Sequence, residues 1–221
     1  MSAPLETVEV GPADASAAVV WLHGLGASGH DFEPIVPMLG LPQVRFVFPH
    51  APTRPVTLNM GFVMHAWYDI RIGDVGFREP EEDVRASAEL VEALIAREEA
   101  RGVPSSSIVL AGFSQGGAMA LHVGTRLPRP LAGIMVLSAY HLLPDRYPAE
   151  RSDANLSTSM LFCHGRHDPL VPMQRGRTAY DAVSPGHPAA WHDFDMQHEV
   201  CPDEIAVIRD WLHQRLGSPD G

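Results

Sequence analysis

Gly112-Phe113-Ser114-Gln115-Gly116-Gly117 decides how this chain is read. Ser107-Ile108-Val109-Leu110-Ala111 precedes it, short, apolar and partly β-branched, as a buried parallel strand is. Ala118-Met119-Ala120-Leu121-His122-Val123 follows, a helix-compatible run that continues to Arg126 before Pro128 closes it. A serine at the apex of strand, tight turn and helix stands at the end of a sheet, at a helix N-terminus. There, backbone N–H groups can face developing negative charge. Gly112 and Gly116 remove the side chains that so sharp a turn would not tolerate.

Outward from this elbow the chain alternates strands and helices. Leu5–Val10 reads as an edge strand, and Ala17–Leu22 as a central one leading into His23-Gly24-Leu25-Gly26-Ala27-Ser28-Gly29. A helix is expected to start within 28–31 and to carry Phe32, Ile35, Val36 and Leu39, with a strand at Val44–Phe48 after it. Glu79–Arg101 reads as a long amphipathic helix with acids in its first turn. Strands at Leu131–Leu137, Thr158–Cys163 and Ala189–Phe194 follow, with helices over Met173–Val183 and Asp203–Leu216. This alternation predicts a mostly parallel sheet covered by helices on both faces. One domain over residues 1–216 is expected, with a flexible tail over 217–221.

Composition narrows the function. The net charge of −11 argues against nucleic acid and against anionic membrane surfaces as partners. No apolar run is long enough to span a bilayer, so no stable membrane insertion is expected. The N-terminal residues lack a basic and apolar leader pattern, which places the chain in the cytoplasm by expectation. Cys163 and Cys201 read as free thiols, Cys163 within a core strand.

Sites in open parallel sheets form at the carboxyl ends of strands. Four such ends carry reactive or glycine-rich groups: 23–26, Ser114, Asp168 and His198. In chain order Ser114, Asp168 and His198 supply a nucleophile, an acid that fixes the imidazole, and a general base. Among the histidines, His192 lies inside a strand, His213 inside a helix and His187 before a strand; His198 falls in the loop after the last strand. Asp168 directly follows its strand, while Asp195 remains a rival by proximity to His198. Backbone N–H groups of Gln115 and Leu25 are the candidates for an oxyanion hole. His164 and His167 find no further ligand at metal-binding spacing, so no metal site is expected. The glycine loop has neither nucleotide-binding form, so no cofactor is expected either. The stretch from Pro49 to Gly76 carries Met60, Phe62, Val63, Met64, Trp67 and Tyr68, too apolar for a solvent loop. Two readings stand: these residues cap the core, or they wall a pocket.

Taken together, Leu22-His23-Gly24-Leu25-Gly26 through Asp31-Phe32, Arg54-Pro55-Val56-Thr57 with Ala66-Trp67-Tyr68-Asp69, the 112–117 elbow, His164-Gly165 with Asp168, and His198 resemble the carboxylesterase, lysophospholipase and acyl-protein thioesterase family of α/β-hydrolases. The resemblance implies an α/β-hydrolase fold without a large lid domain. It also implies cofactor-independent hydrolysis of carboxylic esters of short to medium acyl chains, or of acyl thioesters or lysophospholipids by the same residues, and often homodimers. It places the 59–70 loop beside the acyl pocket, with Met64, Trp67, Leu170 and Val171 as expected lining. Met60 and His65 depart from the family pattern in that loop, which leaves pocket shape and chain-length preference open. A hydrolase fold that only binds a ligand would need none of the three reactive groups, and this chain carries all three.

Overall fold

Residues 4–73 and 76–217 are described by a computed structural model; the expected tail beyond Gly217 lies outside the described residues. Eleven strands form among them: β1 (Thr7–Val10), β2 (Ala17–Leu22), β3 (Val44–Pro49), β4 (Thr53–Val56), β5 (Phe62–His65), β6 (Arg71–Gly73), β7 (Gly76–Arg78), β8 (Ile108–Phe113), β9 (Gly133–Leu137), β10 (Met160–Gly165) and β11 (Ala189–Phe194). The α-helices are α1 (Val36–Leu39), α2 (Glu81–Ala100), α3 (Gln115–Gly124), α4 (Tyr147–Glu150), α5 (Met173–Val183) and α6 (Pro202–Leu216).

Seven strands make one sheet in the order β1-β3-β2-β8-β9-β10-β11. Only β1 runs antiparallel, pairing Thr7 with Pro49 through Val10 with Phe46. Every other neighbour pair in this sheet is parallel. The central strands are buried along their whole length, which is why they read as continuous apolar runs rather than alternating ones. Alternate side chains feed two cores. Val20, Leu22 and Leu110 pack with Val84, Val91 and Ile95 of α2 and with Ala179 and Val183 of α5. Val19, Trp21 and Val109 face the other way, onto Leu39 of α1 and Ile208, Trp211 and Leu212 of α6.

Two departures from the sequence reading have local causes. The helix expected from 28–31 is only a 3-10 turn at Glu33–Ile35 followed by the four-residue α1. Pro34 and Pro37 each lack an N–H and so interrupt a continuous helix there. The loop expected from Pro49 to Gly76 folds into two hairpins, β4 with β5 and β6 with β7, outside the main sheet. Their exposed faces carry Phe62, Val63, Ile72 and Phe77.

Candidate active site

Ser114 sits between β8 and α3 as the residue before the first helical turn, with φ 53° and ψ −118°. A non-glycine residue holds such a conformation only when its surroundings over-determine it. Here Ser114 N–H donates to Leu137 O at 2.8 Å, tying the turn to the end of β9. A Cβ on Gly112 would collide with the Gly116 carbonyl, and one on Gly116 with the Leu22 carbonyl. The glycines are therefore required by the close approach of β8, α3 and β2.

The three reactive groups expected from the sequence meet at the carboxyl edge of the sheet. His198 Nε2 lies 2.9 Å from Ser114 Oγ, and its Nδ1 lies 2.6 Å from Asp168 Oδ2. A carboxylate only accepts, so Nδ1 donates and Nε2 is left to accept the serine proton. The other oxygen, Oδ1 of Asp168, accepts the N–H groups of Leu170 at 2.9 Å and Val171 at 2.8 Å. Asp168 is 6% exposed, so these donors replace the water that the charge has lost. The rival Asp195 instead pairs with His167 at 2.8 Å on the exposed surface. Of the histidines set aside, His187 is buried against Tyr147 and Asn155, and His213 bonds Leu39 O. His164, beside the site, bonds Val171 O at 2.8 Å and is held below its ordinary pKa chiefly by burial. No group of three His, Cys, Asp or Glu side chains among the described residues could hold a metal ion. Nor does any described helix have the length and apolarity to cross a membrane.

A cavity of about 810 Å³ opens beside Ser114 and His198, and Leu25, Gln115, Met64, Leu170 and Val171 all line it. The backbone N–H groups of Leu25 and Gln115 donate to no other protein atom among the described residues.

Trp67 is a correction. It is fully buried rather than part of the cavity lining. Its indole N–H donates to His23 O at 3.0 Å, and its ring lies 5.7 Å from the His23 ring. The side chain props up the strand end from which the 24–26 loop springs, and a loop aromatic that finds an acceptor inside the core has no reason to face a cleft. Met60 and His65 do not line the cavity either. Met60 is 87% exposed in a left-handed turn with φ 57°. His65 donates to Ala51 O through Nδ1 at 2.6 Å, and its carbonyl accepts Gly26 N–H at 2.9 Å. It thus braces the glycine loop from outside.

Two further side chains brace the backbone around the site. His23 donates through Nδ1 to Gly24 O at 2.7 Å and accepts Ala51 N–H at Nε2 at 3.0 Å. Burial first, then the neighbouring histidines, lower its pKa to about 4, so it stays neutral and keeps that tautomer. The side chain of Gln115, unremarked in the sequence, accepts Trp67 N–H at 2.7 Å and donates to Tyr68 O at 2.8 Å. Its only sequence signal was a polar residue inside an otherwise small and apolar helix start.

Comparison with known proteins fits this geometry. A family model described as phospholipase/carboxylesterase matches residues 4–216. The chain is 35% identical over 214 residues to acyl-protein thioesterase 1 of Gibberella zeae, with 91% of each chain covered. The solved acyl-protein thioesterase 2 of Zea mays superposes with a TM-score of 0.84 at 28% identity, covering 96% of this chain and 99% of that one. The solved esterase PE8 gives a TM-score of 0.84 at 26% identity, over 97% of this chain and 100% of that one. The chain has the α/β-hydrolase fold and belongs to the phospholipase/carboxylesterase family of serine hydrolases.

Proposed function

We propose that this chain is a carboxylesterase that works through a Ser114–His198–Asp168 triad and a covalent acyl-enzyme. The observation that carries the reading is the unbroken relay from Ser114 Oγ to His198 Nε2 and from His198 Nδ1 to Asp168. Ser114 Oγ attacks the ester carbonyl carbon while His198 Nε2 takes its proton. Asp168 holds the tautomer and stabilises the imidazolium that forms. The carbonyl oxygen, now an oxyanion, is met by the free N–H groups of Leu25 and Gln115. The C–O bond to the alcohol then breaks, and His198 returns the proton to the departing oxygen. Water repeats the sequence on the acyl-enzyme and releases the acid, with no cofactor needed.

A thioesterase reading uses the same steps with sulfur leaving. Similarity to the acyl-protein thioesterase 1 of Gibberella zeae supports it, and the reaction geometry serves both. The cavity's apolar walls at Leu58, Met64, Ile70 and Phe77 suit an acyl chain in either case.

The test is labelling with a serine-directed fluorophosphonate, paired with kcat/KM on a p-nitrophenyl ester, an acyl thioester and a lysophospholipid. The adduct is expected on Ser114, and Ser114→Ala should lower kcat/KM on the p-nitrophenyl ester by a factor on the order of 10⁴ or more. An active Ser114→Ala enzyme would overturn the mechanism. A kcat/KM higher on the thioester than on the ester would assign the chain to the thioesterase reading.

A further inference from the structure

The cavity beside Ser114 is not uniformly apolar. Its lining also holds Arg175, in the first turn of α5, and Glu79, just before α2. The Arg175 guanidinium carbon lies 3.9 Å from the centre of the Tyr140 ring, a cation–π contact. Tyr140 is itself fixed by a 2.9 Å hydroxyl contact with Tyr68. The nearest carboxylate oxygen, Glu79 Oε1, is 3.6 Å from Arg175 Nη2, too far for a good hydrogen bond. No guanidinium N–H of Arg175 donates to a protein acceptor among the described residues, and the Glu79 carboxylate, whose Oε1 is shielded from water, also lies beside the Tyr140 hydroxyl. The Arg175 side chain is 40% exposed and Glu79 17%, so the arginine is the accessible member of the pair.

A guanidinium presents five donors in one plane. Held against Tyr140 and unused by the protein, those donors face a cleft whose walls at Leu58, Met64, Ile70 and Phe77 are hydrocarbon. Its charge, however, is already balanced by Glu79, and Asp31 adds a second carboxylate to the same lining. The spot therefore offers hydrogen-bond donors without net attraction for an anion. We propose that Arg175 is a specificity-determining residue that accepts substrates with an uncharged oxygen acceptor, a hydroxyl, ether or carbonyl, remote from the scissile bond. A plain alkyl segment in that place strips water from the guanidinium and returns nothing, which is how a polar site rejects an apolar analogue. The oxygen can belong to the acyl chain or to the alcohol. The inference rests on the reading of Ser114 as the nucleophile.

The experiment measures kcat/KM on two matched pairs. One pair is a p-nitrophenyl alkanoate and its analogue with a remote methylene replaced by an ether oxygen. The other is the n-propyl ester and the monoacylglycerol of one fatty acid. A third analogue ends in a carboxylate. Wild-type enzyme is expected to favour the oxygenated member of one pair by about five- to tenfold, and that pair identifies which side of the ester is read. The carboxylate analogue should not outperform the alkyl one. In Arg175→Leu the ratio within the pair should fall to about one. Because that change strips Glu79 of its counter-charge, Arg175→Leu/Glu79→Gln repeats the measurement without a stranded carboxylate. Equal ratios in wild-type enzyme, a preference surviving both substitutions, or preference for the carboxylate would each overturn the inference while Ser114-dependent hydrolysis stands. Absence of Ser114-dependent hydrolysis of every ester would instead overturn the reading beneath it.

Discussion

Asp168 and Glu204 are both carboxylates taken out of water, 6% and 0% exposed, and the fold treats them in opposite ways. Asp168 accepts two backbone N–H groups on one oxygen and the His198 imidazole on the other. Among the described residues neither oxygen of Glu204, in the first turn of α6, makes a well-formed hydrogen bond, and the backbone N–H of Cys201 only partly offsets its burial. Burial pushes its pKa from 4.5 to about 8, so at neutral pH it is mostly a protonated, uncharged acid. One carboxylate is met by three donors, and the other is driven towards its neutral form by burial. Burial alone therefore does not set a carboxylate's surroundings in this fold; the donors placed around it do.

The sharpest way to break this contrast is Asp168→Asn. The substitution preserves shape but lets an amide N–H₂ face His198 Nδ1, favouring the wrong tautomer. We expect kcat/KM on a p-nitrophenyl ester to fall by a factor on the order of 10³–10⁴. The circular dichroism spectrum should stay native, since Leu170 and Val171 N–H can still bond the amide oxygen. Retention of more than a tenth of the activity would show that the charge built into this site is not what His198 uses.

Glu204→Gln tests the other half. A group whose folded pKa is raised contributes stability below its unfolded value, and loses it as pH rises through the folded value. For Glu204 that window runs from 4.5 to about 8. The glutamine variant should therefore match wild-type in thermal midpoint near pH 4 and exceed it progressively towards pH 8. Each kcal/mol recovered should appear as about 2–4 °C. A difference that does not grow with pH would mean that Glu204 is not titrating across folding.

The sequence singled out Asp168 through topology alone. Asp168 follows a buried strand directly, and strand ends in a parallel sheet converge. For the same reason the meeting of Ser114 and His198 could be expected, and the bounds of β2, β11 and α5 were legible. Glu204 stands in an acidic helix start, a setting that ordinarily means a solvated carboxylate favoured by the helix dipole. Its burial follows from sharing a helix face with Ile208 and Trp211, four and seven residues on, a period that the acidic first turn masks. Trp67 failed in the same manner. Its apolar character announced contact with something, but the partner was His23 O inside the core rather than a substrate. The side-chain clamp of Gln115 on the 67–68 backbone was likewise invisible, because it joins residues 48 positions apart in the chain. Local turn chemistry and strand order are written in short stretches. Which face a loop side chain chooses is settled by packing among distant segments.

The smallest effect we expect comes from Ser138, which carries the contrast down to a hydroxyl beside the site. It follows β9, is fully buried, and has φ 47° with an Oγ that finds no partner among the described residues. Its backbone matters more than its side chain. Its N–H donates to Cys163 O at 2.8 Å, next to Leu137, whose carbonyl holds Ser114 N–H. Ser138→Ala removes an unsatisfied polar atom and no hydrogen bond, so the thermal midpoint should hold or rise by about 1–3 °C. Ser138→Gly relieves the left-handed backbone but adds freedom to the unfolded chain, and these terms are each below about 1 kcal/mol and opposed. Both variants should keep kcat/KM within about twofold, because no atom they lose touches Ser114, His198 or Asp168. If Ser138→Ala instead lowered kcat/KM more than about fivefold at an unchanged midpoint, the hydroxyl would belong to the reacting constellation. An unpartnered buried polar group would then count as functional in this fold, and the division drawn between Asp168 and Glu204 would no longer separate the site from the core.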